Sequence, residues 1–231
     1  MTNSLSKLEV AIVPQFYMEP KSAALAVLTE IWPNWYDRGM VSVVKVAREI
    51  GSAPSLTGYH LGIRVPKLSE TLSRLVTWGF ERGITLQFEP AGSKVFINFQ
   101  DAMSLELVST PAKEPSFDHF SANVFRMSLA DAFAKALGCE YEGETSGDWG
   151  VAHFYFDPSD KKRLQFTRPS TTLDSLSTQY PYIIRSSRNP KALSSIVNWI
   201  RDTIGDDPFY DTATKLIHWK EMAPWYLRVD G

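Results

Sequence analysis

The chain has 231 residues, 44% hydrophobic, 22% charged and 13% aromatic, with 24 basic and 26 acidic side chains for a formal net charge of -2. This balance excludes a disordered chain, a collagen-like repeat and a small disulfide scaffold, and it lacks the basic excess that whole-surface attraction to nucleic acid requires. A single cysteine, Cys139, forbids an intramolecular disulfide; with no apolar run of about 18 residues and no signal-peptide core, a cytoplasmic chain away from membranes is expected.

Leu8, Val10 and Ile12 alternate with Glu9, Ala11 and Val13, the period of a strand. Leu25, Leu28 and Trp32 stand at helical spacing over 21–32, and Pro33 and Asn34 stop that helix. A second helix is expected over 41–50, ended by Gly51, and then a strand over 58–65. Pro66 suits a helix start, and Leu68, Leu72, Leu75, Val76 and Gly79 form one face beyond it. ITLQFE and KVFINF around PAGS read as a hairpin within 84–100.

The segment TPAKEPS, 110–116, is the best internal boundary. It separates an N-terminal half, 1–112, from a C-terminal half, 116–231, expected to pack together as one compact unit. After it, 119–127 reads as a strand, and Ser128 with Asp131 caps a helix bearing Leu129, Phe133 and Leu137. VAHFYF and RLQFTR form a second hairpin, 151–168, followed by a short strand over 182–185. Pro190 and Gly205 bracket a helix striped by Leu193, Ile196, Val197, Ile200 and Ile204, and a last helix is expected over 212–222. No repeat of fixed period is visible. Helices mixed with hairpins predict an α+β class, helices packed on antiparallel sheets.

Chemical motifs are sparse. There is no GxGxxG, P-loop, GxSxG or helical zinc-protease signature, so no cofactor, metal or catalytic residue is assigned. The four histidines, His60, His119, His153 and His218, are scattered. Asp118 with His119, and His153 with Asp157, form acid/base pairs only if distant strands converge, which would suit a hydrolase. The order of helices 41–50 and 66–82 with a following hairpin suggests a winged helix, but the second helix mixes Lys67, Arg74 and Arg82 with Glu70 and Glu81.

Charge patterning is the strongest signal. Residues 137–160 hold six acids and no Lys or Arg, whereas 161–191 hold seven bases and one acid, Asp174. Glu140, Glu142 and Glu144 share a parity, so a regular strand would set them on one face, beside Asp148 and Trp149. An acidic patch with an aromatic anchor is how many protein interfaces are built. In this the chain is similar in general character to bacterial toxin-neutralising immunity proteins. The expectation is a non-enzymatic, antitoxin-like antagonist that docks a basic protein, such as a nuclease toxin, through Glu140, Glu142, Glu144, Asp148 and Trp149. Two alternatives are nucleic-acid association through the basic block 161–191 and a hydrolase using Asp118, His119, His153 and Asp157.

Overall fold

A computed structural model describes residues 15–17, 23–35, 42–44, 60–99, 104–124, 126–136, 138–158, 161–170, 182–187, 194, 197–199, 201–203, 205, 207–212, 216–218 and 225–229. The elements run β1 (Gln15–Tyr17), α1 (Ala23–Ile31), β2 (Ser42–Val44), β3 (His60–Pro66), α2 (Leu68–Glu81), β4 (Gln87–Ala91), β5 (Lys94–Asn98), β6 (Ser104–Thr110) and β7 (Ser116–Asn123), then α3 (Met127–Ala136), β8 (Glu140–Gly147), β9 (Gly150–Asp157), β10 (Lys162–Pro169), β11 (Tyr182–Ser187), β12 (Phe209–Asp211), β13 (Leu216–His218) and β14 (Trp225–Val229). They build an eight-stranded sheet, order β4-β5-β6-β3-β7-β10-β9-β8, and a six-stranded sheet, order β12-β13-β14-β11-β1-β2. The chain divides into two compact units, Tyr17–Ser121 and Met1–Phe16 with Ala122–Gly231.

The expected class is corrected by this architecture. The eight-stranded sheet is mixed, because β3 pairs parallel with β6 from His60↔Ser104 to Pro66↔Thr110. A parallel pair needs a long crossover, here α2 and the β4–β5 hairpin, and short-range patterning carries no trace of it. Strand β6 itself escaped the sequence reading, although SLELV alternates. Where a helix was expected over 41–50, residues 42–44 form strand β2; β-branched Val43 and Val44 favour that conformation, and the winged-helix order is lost with it. The helix expected over 212–222 gives way to β13, paired antiparallel with β12 and β14. The strand expected over 8–13 lies outside the described residues, as do Leu193, Ile196, Ile200 and Ile204; 197–199 and 201–203 are helical.

In the unit Tyr17–Ser121 the two faces of the sheet have opposite character. Leu61, Ile63 and Val65 of β3, Val95 and Ile97 of β5 and Leu105 and Leu107 of β6 are buried, on the face covered by α1 and α2. From the helices come Ala24, Val27, Leu28, Ile31, Leu75 and Trp78, all buried. Burying such side chains is worth roughly 1.5–3 kcal/mol each. The alternate positions point the other way and carry the polar groups, His60 and Arg64 on β3, Lys94 on β5 and Glu106 on β6, with Gly62, Phe96 and Val108 among them.

The element order is repeated. A strand, a helix and three strands occur as β3-α2-β4-β5-β6 and again as β7-α3-β8-β9-β10. In each series the first strand neighbours the last, and the last three run in sequence order. Histidines open or sit within the two leading strands, His60 in β3 and His119 in β7. The spacing from His60 to Glu106 recurs from His119 to Gln165, inside the matching runs Leu105-Glu106-Leu107 and Leu164-Gln165-Phe166. Among the described residues no helix is long and apolar enough to cross a membrane.

Candidate metal centre

On the polar face of the unit Tyr17–Ser121, three neighbouring strands deliver three ligating groups to one point. Register does the work: His60 pairs with Ser104 and Ser121, and Gly62 pairs with Glu106 and His119. Side chains opposite one another across a ladder share a face, so His60 of β3, Glu106 of β6 and His119 of β7 converge. All three are buried, at 1%, 1% and 3% relative exposure, and their ligand atoms lie within 4.8 Å of one another. His60 Nε2 is 2.8 Å from His119 Nε2 and 3.1 Å from Glu106 Oε2; His119 Nε2 and Glu106 Oε2 are 3.9 Å apart. Donors held by one ion through bonds near 2.1 Å stand about 3 Å apart when adjacent.

The surroundings orient each group. Gly62 lies beneath the His119 ring, and a Cβ there would overlap the imidazole, so the close approach demands glycine. The register slips between Gly62 and Ile63, since Gly62 faces His119 while Ile63 faces Phe117. The β3–β7 register thus steps over Asp118, and such irregularities re-aim side chains near functional sites. His119 Nδ1–H donates to Asp118 Oδ2 at 2.9 Å. Arg64 donates to the other oxygen from Nε at 2.7 Å and approaches it from Nη2 at 2.6 Å. With Nδ1 protonated, the lone pair of His119 sits on Nε2, facing Glu106 and His60.

Burial alone would raise the Glu106 carboxyl. The hydrogen bond to His60, then the charges of His60, His119 and Lys94, outweigh it and bring the group down to about 2. Asp118 is likewise held well below the usual carboxylate range: burial opposes ionisation, and the bond to His119 with the Arg64 guanidinium overcomes it. Lys94 Nζ donates to both Glu106 oxygens, at 3.1 and 3.0 Å. Phe96 stands edge-on to His60 with ring centroids 5.1 Å apart.

Of the residues singled out in sequence, Asp118 and His119 meet here, as a carboxylate orienting an imidazole. His60 had no assigned role and Glu106 was not singled out. The parity of SLELV and the recurrence of a histidine 59 positions after His60 were the available signals. His153 is placed differently from expectation: its Nδ1 meets Asp131 of α3 at 2.8 Å and its Nε2 meets Glu144 at 3.4 Å. Asp157 is buried and pairs in register with Lys162.

The acidic segment forms the edge strand β8, and its glutamates do not share a face. A bulge between Tyr141 and Gly143 sets Glu140 opposite Phe156 but Glu144 opposite His153, on alternate sides of β9; Gly143 takes φ 145° there. Glu142 meets Arg163 Nε at 2.8 Å, so acidic and basic blocks partly pair. Asp148 is exposed, and Trp149, 47% exposed, folds its indole over Gly147.

No protein-family model matches the sequence, and no curated protein matches it. Solved structures do resemble the fold. Glyoxalase I from Zea mays matches with a TM-score of 0.65 and 11% identity, over 96% of this chain and 92% of that one. A single-substitution variant of the same enzyme matches with a TM-score of 0.66 and 10% identity, over 99% and 96%. The chain thus has a β-rich, glyoxalase I-like fold. This fold, with a buried ligating triad in it, overturns the expected immunity-type, antitoxin-like antagonist.

Proposed function

We propose that the chain is a divalent-metal-dependent enzyme whose ion is held by His60, Glu106 and His119. One observation carries this reading: two imidazoles and a carboxylate, each almost fully buried, aim their ligand atoms at one point. Burying a charged carboxylate costs several kcal/mol, and such groups concentrate where function requires them. The glyoxalase I-like fold supports an enzyme. Two histidines and one carboxylate with open positions is the ligand set of non-haem iron(II) sites, which makes iron(II) the first metal to load. When bound, such an ion supplies Lewis-acid polarisation of an oxygen-donor substrate.

The chain's own residues prepare the site. Asp118 fixes the tautomer and orientation of His119, and Arg64 fixes Asp118. Phe96 walls His60. The same ligand set serves iron(II) oxygenases and Lewis-acid chemistry without dioxygen; oxygen uptake by the iron(II)-loaded protein separates the two.

The test is metal uptake after separate loading with iron(II), manganese(II), cobalt(II) and zinc(II). Wild type should retain an ion through desalting, and His60→Ala and Glu106→Ala should each weaken retention by about tenfold or more. No uptake by wild type, or undiminished uptake by both variants, overturns the proposal.

A further inference from the structure

The polar face that carries the triad also carries two cations, each matched by one carboxylate. Lys94 sits on Glu106 and Arg64 on Asp118, so among the described residues these two ion pairs balance, and imidazoles in the neutral form that ligates a metal add no charge. A divalent ion would bring two further positive charges into a place where both imidazoles and Glu106 are shielded from water. Buried charge needs a partner, and compensation must come from whatever binds next. Lys94 also works against the ion, because it stands on the one carboxylate of the triad and repels a second cation. A residue with that cost at a metal centre is explained by what it does for the ligand.

We infer that the ligand taken at this centre is a carboxylate anion, and that Lys94 receives it beside the ion. The inference rests on reading His60, Glu106 and His119 as a metal centre. An ammonium has three N–H donors. Glu106 accepts from it through two oxygens, and the Lys94 side chain remains 36% exposed, so that among the described residues one donor is left for an incoming oxyanion. The Phe96 ring lies 5.7 Å from Nζ and edge-on to His60, so one ring braces the ammonium and a metal-binding imidazole together. A small 2-hydroxy or 2-oxo carboxylate fits this pairing: two oxygens for the ion and a negative charge for Lys94.

Cobalt(II)-loaded protein titrated by calorimetry with glycolate, and with the neutral analogue glycolamide, tests this. Wild type should prefer glycolate. Lys94→Met should weaken glycolate by about tenfold or more, the usual effect of losing a hydrogen bond to a charged group, and leave glycolamide within about twofold. Lys94→Arg should keep most of the glycolate affinity. Lys94→Met should also take up cobalt(II) more tightly than wild type, a change that simple unfolding would not produce; Lys94→Gln serves as a second charge-removing variant. Glycolate affinity within about twofold of wild type in folded, cobalt-loaded Lys94→Met overturns the inference and leaves the metal centre standing. Failure of wild type to take up cobalt(II) or any other metal removes both.

Discussion

At the scale of single residues, the site depends on one missing side chain as much as on those present. Gly62 stands directly under the His119 ring, and its backbone is not in a left-handed conformation, so its role is space. Gly62→Ala should push the imidazole off its line with His60 and Glu106. Small-to-large changes in packed surroundings cost roughly 1–3 kcal/mol, and a displaced ligand weakens metal binding by about 10–100-fold. Metal titration alongside the thermal midpoint checks this; a variant that binds metal like wild type shows that His119 can yield at no cost. The sequence put Asp118 beside His119 and so made half of this arrangement legible. It could not show that His60 and Glu106 join them, because ligands from three strands are brought together by register, a long-range property.

Between elements, α3 is latched to β9 by a polar contact that hydrophobic patterning does not reveal. Tyr155 is buried, and its hydroxyl donates to Asp131 Oδ1 at 2.5 Å, while His153 Nδ1 meets the same oxygen. Burial, the bond to Asp131 and that carboxylate's charge push the phenol above its ordinary value of 10.0. A raised folded value means that the latch contributes fully below about pH 10 and is lost as pH climbs above it, where the unfolded phenol ionises first. Tyr155→Phe should therefore be less stable than wild type near neutrality by about 0.5–1.5 kcal/mol, and the gap should narrow at higher pH. Urea midpoints of both proteins at about pH 8 and about pH 11 measure it; a constant gap means that the phenol is not coupled to folding. The helices α2 and α3 were readable from their apolar stripes, although Val76, expected on the α2 face, is exposed and Thr71 and Trp78 are buried there with Leu75 and Gly79. Strand β2 was not, because four valines within 41–46 satisfy a helical count as easily as a pleated one.

Across the whole molecule, the repeated strand-helix-strand-strand-strand order supplies the cluster from both series, His60 and Glu106 from the first and His119 from the second. The repeat was invisible in sequence because little besides hydrophobic character recurs, as in Leu105-Glu106-Leu107 against Leu164-Gln165-Phe166. Aligned this way, the second series has Gln165 where the first has Glu106. A carboxamide is neutral and a poorer ligand for a hard cation than a carboxylate. Gln165 gives its amide N–H to Thr167 Oγ1 at 3.0 Å, and its Oε1 is buried without a hydrogen-bond partner, as is Asn123 Oδ1. Those orphan oxygens do not amount to a second centre, since the described residues contain one three-donor cluster, His60, Glu106 and His119. Duplication of the fold should therefore not mean duplication of the metal. Calorimetric titration with iron(II) or cobalt(II) is expected to saturate at one ion per chain. Because the ion binds the folded chain, a chelator should lower the thermal midpoint of the loaded protein, and by mass action the shift should grow with the metal concentration used in loading. Glu106→Gln, which gives the first series the residue of the second, should weaken the uptake by about tenfold or more and shrink the shift. Saturation at two ions, or a Glu106→Gln variant that gains as much stability from metal as wild type, would place binding outside the triad.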